Sequence, residues 1–416
     1  MIEFYLSQDN SIKVTEGLIS EYSGYFEAVY RLSQVFACFF WSTISDSIGR
    51  VPVLIIGLSG QFICSIFMCT CTNYNRAFII RLFSGLMSGN SPVIKSLISE
   101  VTLDSNISNL YSYFALGTGI SYILGPALSS LSSPTKNYEF MSQISFFSNY
   151  PYFIPFFLQS LIFFIALMST LIFLRNTRKG RGAEGIKCTC IKEYNYIIIV
   201  VVYSVFAFAH MGSRLVFSLF CKTGIDKGGL GLASEKILSL IQGLSGIIII
   251  LCPPILMPIL KKKFGLIRSM TYLCIGSIIS ISLLMLAKGI NLYYQICILA
   301  VSYGLFNSTS LMFFSYISIG LSNCVSQNVL GAAFGFSNII VGNSRFGANA
   351  VIGIVFSWSI EDGIKFSLID ASFSIVIISV MFILTVLGIV CLLNSSIEKR
   401  KIEEDDKYSE LINKKD

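Results

Sequence analysis

The chain has 416 residues, of which 54% are hydrophobic and only 13% are charged, and its mean hydropathy is +0.73. Soluble domains carry about 25% charged residues, so a soluble enzyme and a disordered chain are excluded. The absence of a Gly period and the length of the chain exclude a collagen-like and a disulfide scaffold. The net charge of +7 lies in short loops and a tail without interleaved aromatic residues. We therefore expect no nucleic-acid partner, and a polytopic membrane protein remains.

Eleven apolar segments follow one another along the chain, and each is long enough to span a bilayer. Strands of membrane barrels are about 10 residues long and alternate in polarity, so these longer continuous segments predict an all-α fold. The segments are 22–44, 53–72, 76–98, 107–131, 152–174, 195–221, 236–260, 269–287, 292–319, 329–357 and 366–394.

Charges in the loops predict how the chain crosses the membrane. One set of loops, together with the tail, carries seventeen Lys and Arg residues, and the opposite set carries seven. The positive-inside rule then places the tail in the cytosol. An odd number of spans places the start of the chain on the other side.

The longest loop on the cytosolic side, 175–194, is rich in Gly, Lys and Arg and is typical of a linker between two bundles. We therefore divide the chain into five parts. They are an extracytosolic segment 1–21, a bundle of five spans 22–174, a cytosolic linker 175–194, a bundle of six spans 195–394 and a cytosolic tail 395–416.

Charged side chains within spans are costly, by about 2.5–3.5 kcal/mol each on insertion scales, so they are expected to face inward. Glu27 and Arg31 are four residues apart, so they share one helix face and can neutralise each other. The candidates among the charged residues and the histidine within the spans are Glu27, Arg31, Arg81, His210, Arg214, Arg345 and Asp370.

Residues 41–54 between the first two spans read WSTISDSIGRVPVL. This loop resembles the pattern G-x-L-x-D-R-x-G-R-[RK] of the major facilitator superfamily, with Asp46, Gly49 and Arg50 matching. Ser42, Ser47 and Val51 depart from it, in place of a Gly and two basic residues. Independently of the resemblance, Gly49 permits a tight turn before the next helix.

Other stretches resemble the same superfamily in the same order. Residues 121–130, SYILGPALSS, are similar to the fifth-helix pattern of its antiporters, and Arg81 followed by Gly85 is similar to its fourth-helix R-x-x-x-G pattern. Several stretches are similar to a eukaryotic branch that includes the plant zinc-induced facilitator-like proteins and their fungal relatives and is akin to tetracycline-type antiporters. The further stretches that resemble this branch are 81–101, 149–157, 228–246 and the residues from Asn323 through Gly331, Gly335, Arg345 and Gly347.

The resemblance implies a fold of two six-helix bundles. In the superfamily the loop motif follows the second helix, whereas here it follows the first span. We therefore expect helix one to be missing, with about 20 apolar residues encoded upstream of Met1. A missing first helix accounts for both the division into five and six spans and the position of the start of the chain.

The loop motif suggests a gate. Arg50, Asp46 and Glu100 would lie in one cytosolic layer and latch the two halves in the outward-facing state. Half-exposed ion pairs contribute about 0.2–1 kcal/mol each, which is weak enough to break in every cycle. The alternative is a solvated loop with helix-capping roles. Gly125 and Pro126 interrupt the helix ladder and are expected to bend their helix.

The resemblance places Arg81, His210 and Arg214 on helices that line the family's cavity, so we expect Arg81 to act on a solute or coupling acid. His210 is the sole histidine, and imidazole titrates near neutral pH, so it is either a proton carrier or a hydrogen-bonded interior residue. Asn307 opens a polar run, 307–310, that binds either a polar solute or neighbouring backbone. Arg345 completes the candidate coupling residues.

No nucleophile motif and no phosphate-binding loop is visible, so we expect neither an enzyme nor a cofactor. Cys188 and Cys190 have no second pair and no nearby histidine, so no metal site is expected. The sequence predicts a monomeric secondary transporter in the lipid bilayer, which exchanges a small-molecule substrate for protons by alternating access. A non-transporting scaffold or sensor is the alternative. The form Tyr408-x-x-Leu411 in the tail resembles an adaptor-binding sorting motif and favours a vacuolar or endosomal membrane over the plasma membrane.

Overall fold

The computed structural model describes residues 1–7, 16–102, 106–130, 145–174, 194–232, 235–325, 329–361, 373–393 and Ile397. Within these ranges the chain is helical apart from short turns, and it contains no strand. The predicted all-α fold is confirmed. Most of the predicted linker and tail, together with Asp370, Cys188, Cys190 and the sorting motif, lies outside the described residues.

Thirteen α-helices are described. They are α1 (Ile2–Ser7), α2 (Glu16–Ile48), α3 (Arg50–Cys69), α4 (Tyr74–Leu86), α5 (Asn90–Val101), α6 (Ile107–Ser130), α7 (Ser145–Asn149), α8 (Phe153–Phe173), α9 (Tyr194–Lys222), α10 (Glu235–Ser282), α11 (Leu292–Cys324), α12 (Leu330–Glu361) and α13 (Phe373–Leu392).

These segments are expected to be helical, because lipid offers no hydrogen-bond partners and a helix pairs its backbone groups within the segment itself. Eight stretches of the described chain are long and apolar enough to cross a membrane. All eleven predicted segments are helical over most of their described residues. The number of spans stays a prediction.

The predicted segment 76–98 is not one helix, because α4 ends at Leu86 and α5 begins at Asn90. Ending a helix frees carbonyl groups that need new donors. The indole Nε1 of Trp41 on α2 donates to the carbonyl of Leu86 at 2.7 Å. At Gly89 an added Cβ would stand 2.6 Å from the carbonyl oxygen of Ala37, so α2 packs closely against this break.

Part of the predicted extracytosolic segment 1–21 is buried. Ile2, Tyr5 and Leu6 of α1 are at most 7% exposed and pack in one apolar cluster with Phe26 and Met68. The apolar residues among the first seven were too few to predict a helix of their own.

Two predicted spans, 236–260 and 269–287, are joined within α10 by a sharp change of direction at Gly265. The backbone φ there is +78°, a left-handed value that favours glycine. The short basic stretch from Lys261 to Arg268, predicted as a loop, therefore turns without a long connection.

The chain forms two compact units. The first unit comprises Met1–Leu97, Gly125–Ile186 and Asn328–Ile339, and the second comprises Ile98–Leu124, Lys187–Gln327 and Ile340–Asp416. In the first unit α2 packs on α4, and α3 packs on α8; in the second, α10 packs along α11 and α13, and α9 packs on α13. Each unit takes segments from both sides of residues 175–194, whereas the predicted bundles were consecutive in sequence.

Candidate functional site

The first unit contains a cluster of three charged residues, Glu27, Arg31 and Arg81, here called the α2–α4 charge cluster. One carboxylate oxygen of Glu27 accepts from Nε of Arg31 at 2.8 Å, as their spacing predicted. The other accepts from Nη2 of Arg81 at 3.0 Å. Arg81 is thus paired, although the sequence alone gave it no partner. One carboxylate between two guanidinium groups leaves the cluster with one net positive charge.

Aromatic rings cover the guanidinium of Arg81. Its central carbon lies 4.1 Å from the ring centre of Tyr30 and 5.3 Å from that of Phe26. Both rings belong to α2 and present their electron-rich faces to the cation. The Nε of Arg81 is buried and has no hydrogen-bond partner among the described residues.

A close approach of α4 to α2 positions Arg81. Gly85, one turn beyond Arg81, lies so near α2 that an added Cβ would stand 2.7 Å from the carbonyl oxygen of Tyr30. Residues i and i+4 share a helix face, so this contact brings Arg81 over Glu27. The similarity of Arg81 and Gly85 to a family pattern thus has a steric reason in this chain.

The charged faces of α2 and α4 lie opposite their exposed apolar faces. On α2 the exposed apolar residues Leu32, Phe36 and Phe40 lie on the side away from Glu27 and Arg31. On α4 the exposed Ile79 and Phe83 lie on the side away from Arg81. The apolar faces suit lipid, yet the side chains of Glu27 and Arg31 remain 48% and 60% exposed. The charged face therefore suits water or a polar ligand.

The loop motif forms a buried ion pair. Gly49 has φ +101° and ψ 161°, a conformation open to glycine almost alone, and α3 begins directly after it. Arg50 is fully buried, and its Nη2 lies 2.7 Å from the Asp46 carboxylate. Its Nη1 donates to the hydroxyl of Ser45 at 2.5 Å. The predicted turn at Gly49 is confirmed.

The Asp46 carboxylate also caps α12. Its two oxygens accept from the backbone N–H groups of Gly331 at 3.0 Å and Ala332 at 2.8 Å. The first N–H groups of a helix lack partners within the helix, and its positive dipole end favours an anion. Asp46 lies beyond the predicted span 22–44; burial raises its pKa, and the Arg50 guanidinium and these two donors partly offset that rise.

Glycine allows this capping contact. An added Cβ at Gly331 would lie 2.5 Å from Nη1 of Arg50 and 2.7 Å from Oδ1 of Asp46. Gly331 was part of the family resemblance in sequence, but its partner 285 residues away was not predictable. Ser45, too, was missed as a partner of Arg50.

Two further predictions remain open. Glu100 lies near the end of α5, in the second unit, and its place in a latch with Arg50 stays a prediction. Gly125 and Pro126 lie within α6, which the structure describes as one helix. The predicted bend there also stays a prediction.

The second unit contains another cationic cluster, formed by His210, Arg214 and Arg345. His210 is 8% exposed, stacks on Phe306 with ring centres 5.5 Å apart, and meets Phe314 edge to face at 5.1 Å. The guanidinium of Arg345 lies 5.2 Å from the ring centre of Phe314. Arg214 and Arg345 both act electrostatically on His210. Three of the predicted coupling residues are thus brought together.

Asn307 joins this cluster through a side-chain hydrogen bond with His210. Its Nδ2 also donates to the carbonyl of Tyr303 in its own helix at 2.8 Å. Thr309 bonds to its own helix and to Ser277 at 2.9 Å. These bonds support the interpretation in which the run bonds to its own helix and its neighbours, and solute binding stays a prediction. The aromatic neighbours of the cluster were missed, because phenylalanine is too common in these spans to stand out.

Among the described residues, no three His, Cys, Asp or Glu side chains come close enough together to hold a metal ion. The chemistry of both clusters is that of guanidinium and imidazole donors set among aromatic rings. Such groups bind and orient polar solutes.

Comparisons with known proteins point to one family. The family model of the Major Facilitator Superfamily matches residues 5–348. A probable peptide/nitrate transporter of Arabidopsis thaliana is 25% identical over 389 residues, covering 86% of this chain and 79% of that protein. The zinc-induced facilitator-like protein 1 of the same plant is 24% identical, with the same coverage. A solved proton:xylose symporter, 12% identical, superposes with a TM-score of 0.68 over 95% of this chain and 90% of that chain.

Proposed function

The chain belongs to the Major Facilitator Superfamily, a family of secondary transporters, and we propose that it moves a small solute by alternating access in exchange for protons. Alternating access needs a contact that stabilises one conformational state and is broken in the other. It also needs a solute site within the helices and a group that carries the proton.

The single observation that best supports this proposal is the capping of α12 by Asp46. Hydrogen bonds to a charged group contribute about 1.5–3 kcal/mol each, so the two bonds to Gly331 and Ala332 together amount to about 3–6 kcal/mol. Inverting a two-state equilibrium from 1:99 to 99:1 takes about 5.5 kcal/mol. The contact is thus strong enough to define a state and weak enough for a solute to release.

Glu27 is our candidate for the proton carrier. In the predicted spans it is the sole acidic residue apart from Asp370. Its carboxylate holds both Arg31 and Arg81, so a proton on Glu27 would release two guanidinium groups at once. Proton binding and solute binding would then be linked at the same side chains. His210 is the second candidate, in the other unit.

Transport is tested with the purified full chain in proteoliposomes that contain the pH dye pyranine. We expect one solute class, among added sugars, amino acids, organic anions and amines, to cause protein-dependent proton movement. Glu27→Gln should abolish the proton movement and retain exchange of the solute, whereas Arg268→Gln, at an exposed position, should behave like the parent chain.

The outcome that contradicts the proposal is a folded, reconstituted chain that moves no solute and no protons. The departures at Ser47 and Val51, which remove two charges of the family's loop, would then favour a scaffold or sensor.

We also propose an endomembrane location, on the basis of Tyr408-x-x-Leu411 in the predicted cytosolic tail. Imaging the Tyr408→Ala protein tests it. A shift of the variant to the plasma membrane supports the proposal, and an unchanged distribution shows that the motif does not determine the location.

A further inference from the structure

The α2–α4 charge cluster holds two arginines and one carboxylate, and Arg345 in the second unit has no carboxylate partner among the described residues. From this charge imbalance we propose that the solute is an organic anion, recognised through a carboxylate or another oxyanion. That it is transported rests on the function proposed above, but its binding can be measured without transport.

The α2–α4 charge cluster supports an anion by its own geometry. The Glu27 carboxylate bridges Arg31 and Arg81, which shows that an oxyanion fits between these guanidinium groups. The buried Nε of Arg81 has no partner among the described residues, so one strong donor is left for a ligand. Guanidinium presents several N–H groups in one plane and binds oxyanions at two points. A ligand oxyanion would compete with Glu27 for the same donors.

The cationic cluster of the second unit points to the same ligand class. Among the described residues, the five apolar stretches after the predicted linker contain neither Asp nor Glu; they are Tyr194–Lys222, Leu240–Ala287, Leu292–Cys324, Leu330–Phe356 and Phe373–Leu392. Asp370, in the last predicted span, lies outside the described residues. Arg345 contacts the ring of Phe314 and has no carboxylate partner among the described residues. A cationic solute would be repelled here, and an uncharged one would leave the Arg345 guanidinium without a carboxylate among the described residues.

The surroundings of both clusters indicate that the anion has an apolar, planar body. Tyr30 and Phe26 border Arg81, and Phe306 and Phe314 border His210 and Arg345. Aromatic rings pack well against planar apolar groups. An aromatic carboxylate combines this body with the required charge.

The test measures binding of 1-naphthoate and benzoate to the purified full chain by titration calorimetry in detergent. The uncharged amides and the amines of the same ring systems serve as matched probes. We expect both carboxylates to saturate with at least tenfold higher affinity than their amides, and the amines not to bind. Absence of saturable carboxylate binding, or equal binding of the amides, overturns the proposal.

Variants assign the binding to the clusters. Arg81→Gln should weaken naphthoate binding at the α2–α4 charge cluster about tenfold or more, and Arg345→Gln should weaken it as much at the cationic cluster of the second unit, because each removes a charged hydrogen-bond donor. Arg76→Gln and Arg268→Gln change exposed arginines outside the clusters and should leave the affinity unchanged. Unchanged affinity in both cluster variants, or an equal loss in the control variants, overturns the assignment.

Glu27→Gln should have the opposite effect and tighten naphthoate binding severalfold, because it removes the competing carboxylate while keeping the shape of the side chain. A folding defect cannot produce tighter binding, so weaker or unchanged binding in this variant overturns the competition.

The two proposals fail separately. Naphthoate binding without flux in proteoliposomes contradicts transport alone. Proton-coupled flux of an amine or a sugar, without carboxylate binding, contradicts only the proposal that the solute is an anion.

Discussion

The guanidinium group of Arg50 is buried away from water, and the carboxylate of Asp46, 2.7 Å away, compensates its charge. Removing one partner of a buried ion pair leaves the other charge uncompensated, which costs about 3–5 kcal/mol. In this protein the remaining charge would belong to a residue that also caps α12. The stability of this region therefore depends on Arg50 more than on an exposed arginine.

We expect Arg50→Ala to destabilise the purified protein by about 3–5 kcal/mol because the Asp46 charge stays buried. Thermal unfolding in detergent measures the change. Arg76→Ala, at an exposed position on α4, is the control and should change stability by less than about 0.5 kcal/mol. Equal midpoints for both variants would show that the Arg50–Asp46 pair does not stabilise the fold.

At the scale of helices, the spacing of α2 and α4 depends on the absence of a side chain at Gly85. An added Cβ there would meet the backbone of α2, which cannot move aside as a flexible side chain can. Overpacked contacts of this kind cost about 1–3 kcal/mol. The same displacement would pull Arg81 away from Glu27.

Gly85→Ala should therefore lower stability by about 1–3 kcal/mol and weaken the pairing of Arg81 with Glu27. The matched control is Gly347→Ala in α12, where an added Cβ meets nothing within 4 Å. Alanine there should be neutral or stabilise the helix by up to about 1 kcal/mol. Thermal unfolding of both variants checks the difference, and a similar loss in both would contradict the steric explanation.

The helices were predictable because lipid selects for long apolar runs. The pairing of Glu27 with Arg31 was predictable because the two residues are four positions apart in one helix. The break between α4 and α5 was missed because its residues 87–89 do not interrupt the apolar run strongly. The pairing of Glu27 with Arg81 and the capping of α12 by Asp46 join positions 54 and 285 residues apart. Such contacts depend on packing that a pattern in one sequence does not contain.

At the scale of the molecule, the loop charges predict orientation. Tags inserted in 132–150 should be accessible from outside the cytosol, and tags in 175–194 only from the cytosol. The reason is the excess of basic residues, seventeen against seven, on the predicted cytosolic side. Protease protection of tagged protein in sealed membranes measures this. Finding both tags on one side would contradict the predicted spans.

Because Asn328–Ile339 belongs to the first unit, that unit is complete only after the ribosome has synthesised this segment. Residues 46 and 331 are separated by 285 positions, which a ribosome translating at about 5–20 residues per second covers in roughly 15–60 s. Until the first turn of α12 has been synthesised, the Asp46 carboxylate lacks the two backbone N–H donors that it has in the folded protein. A nascent chain paused before residue 331 would therefore present an incomplete first unit to quality-control factors, and codon choice across that stretch sets how long the exposure lasts.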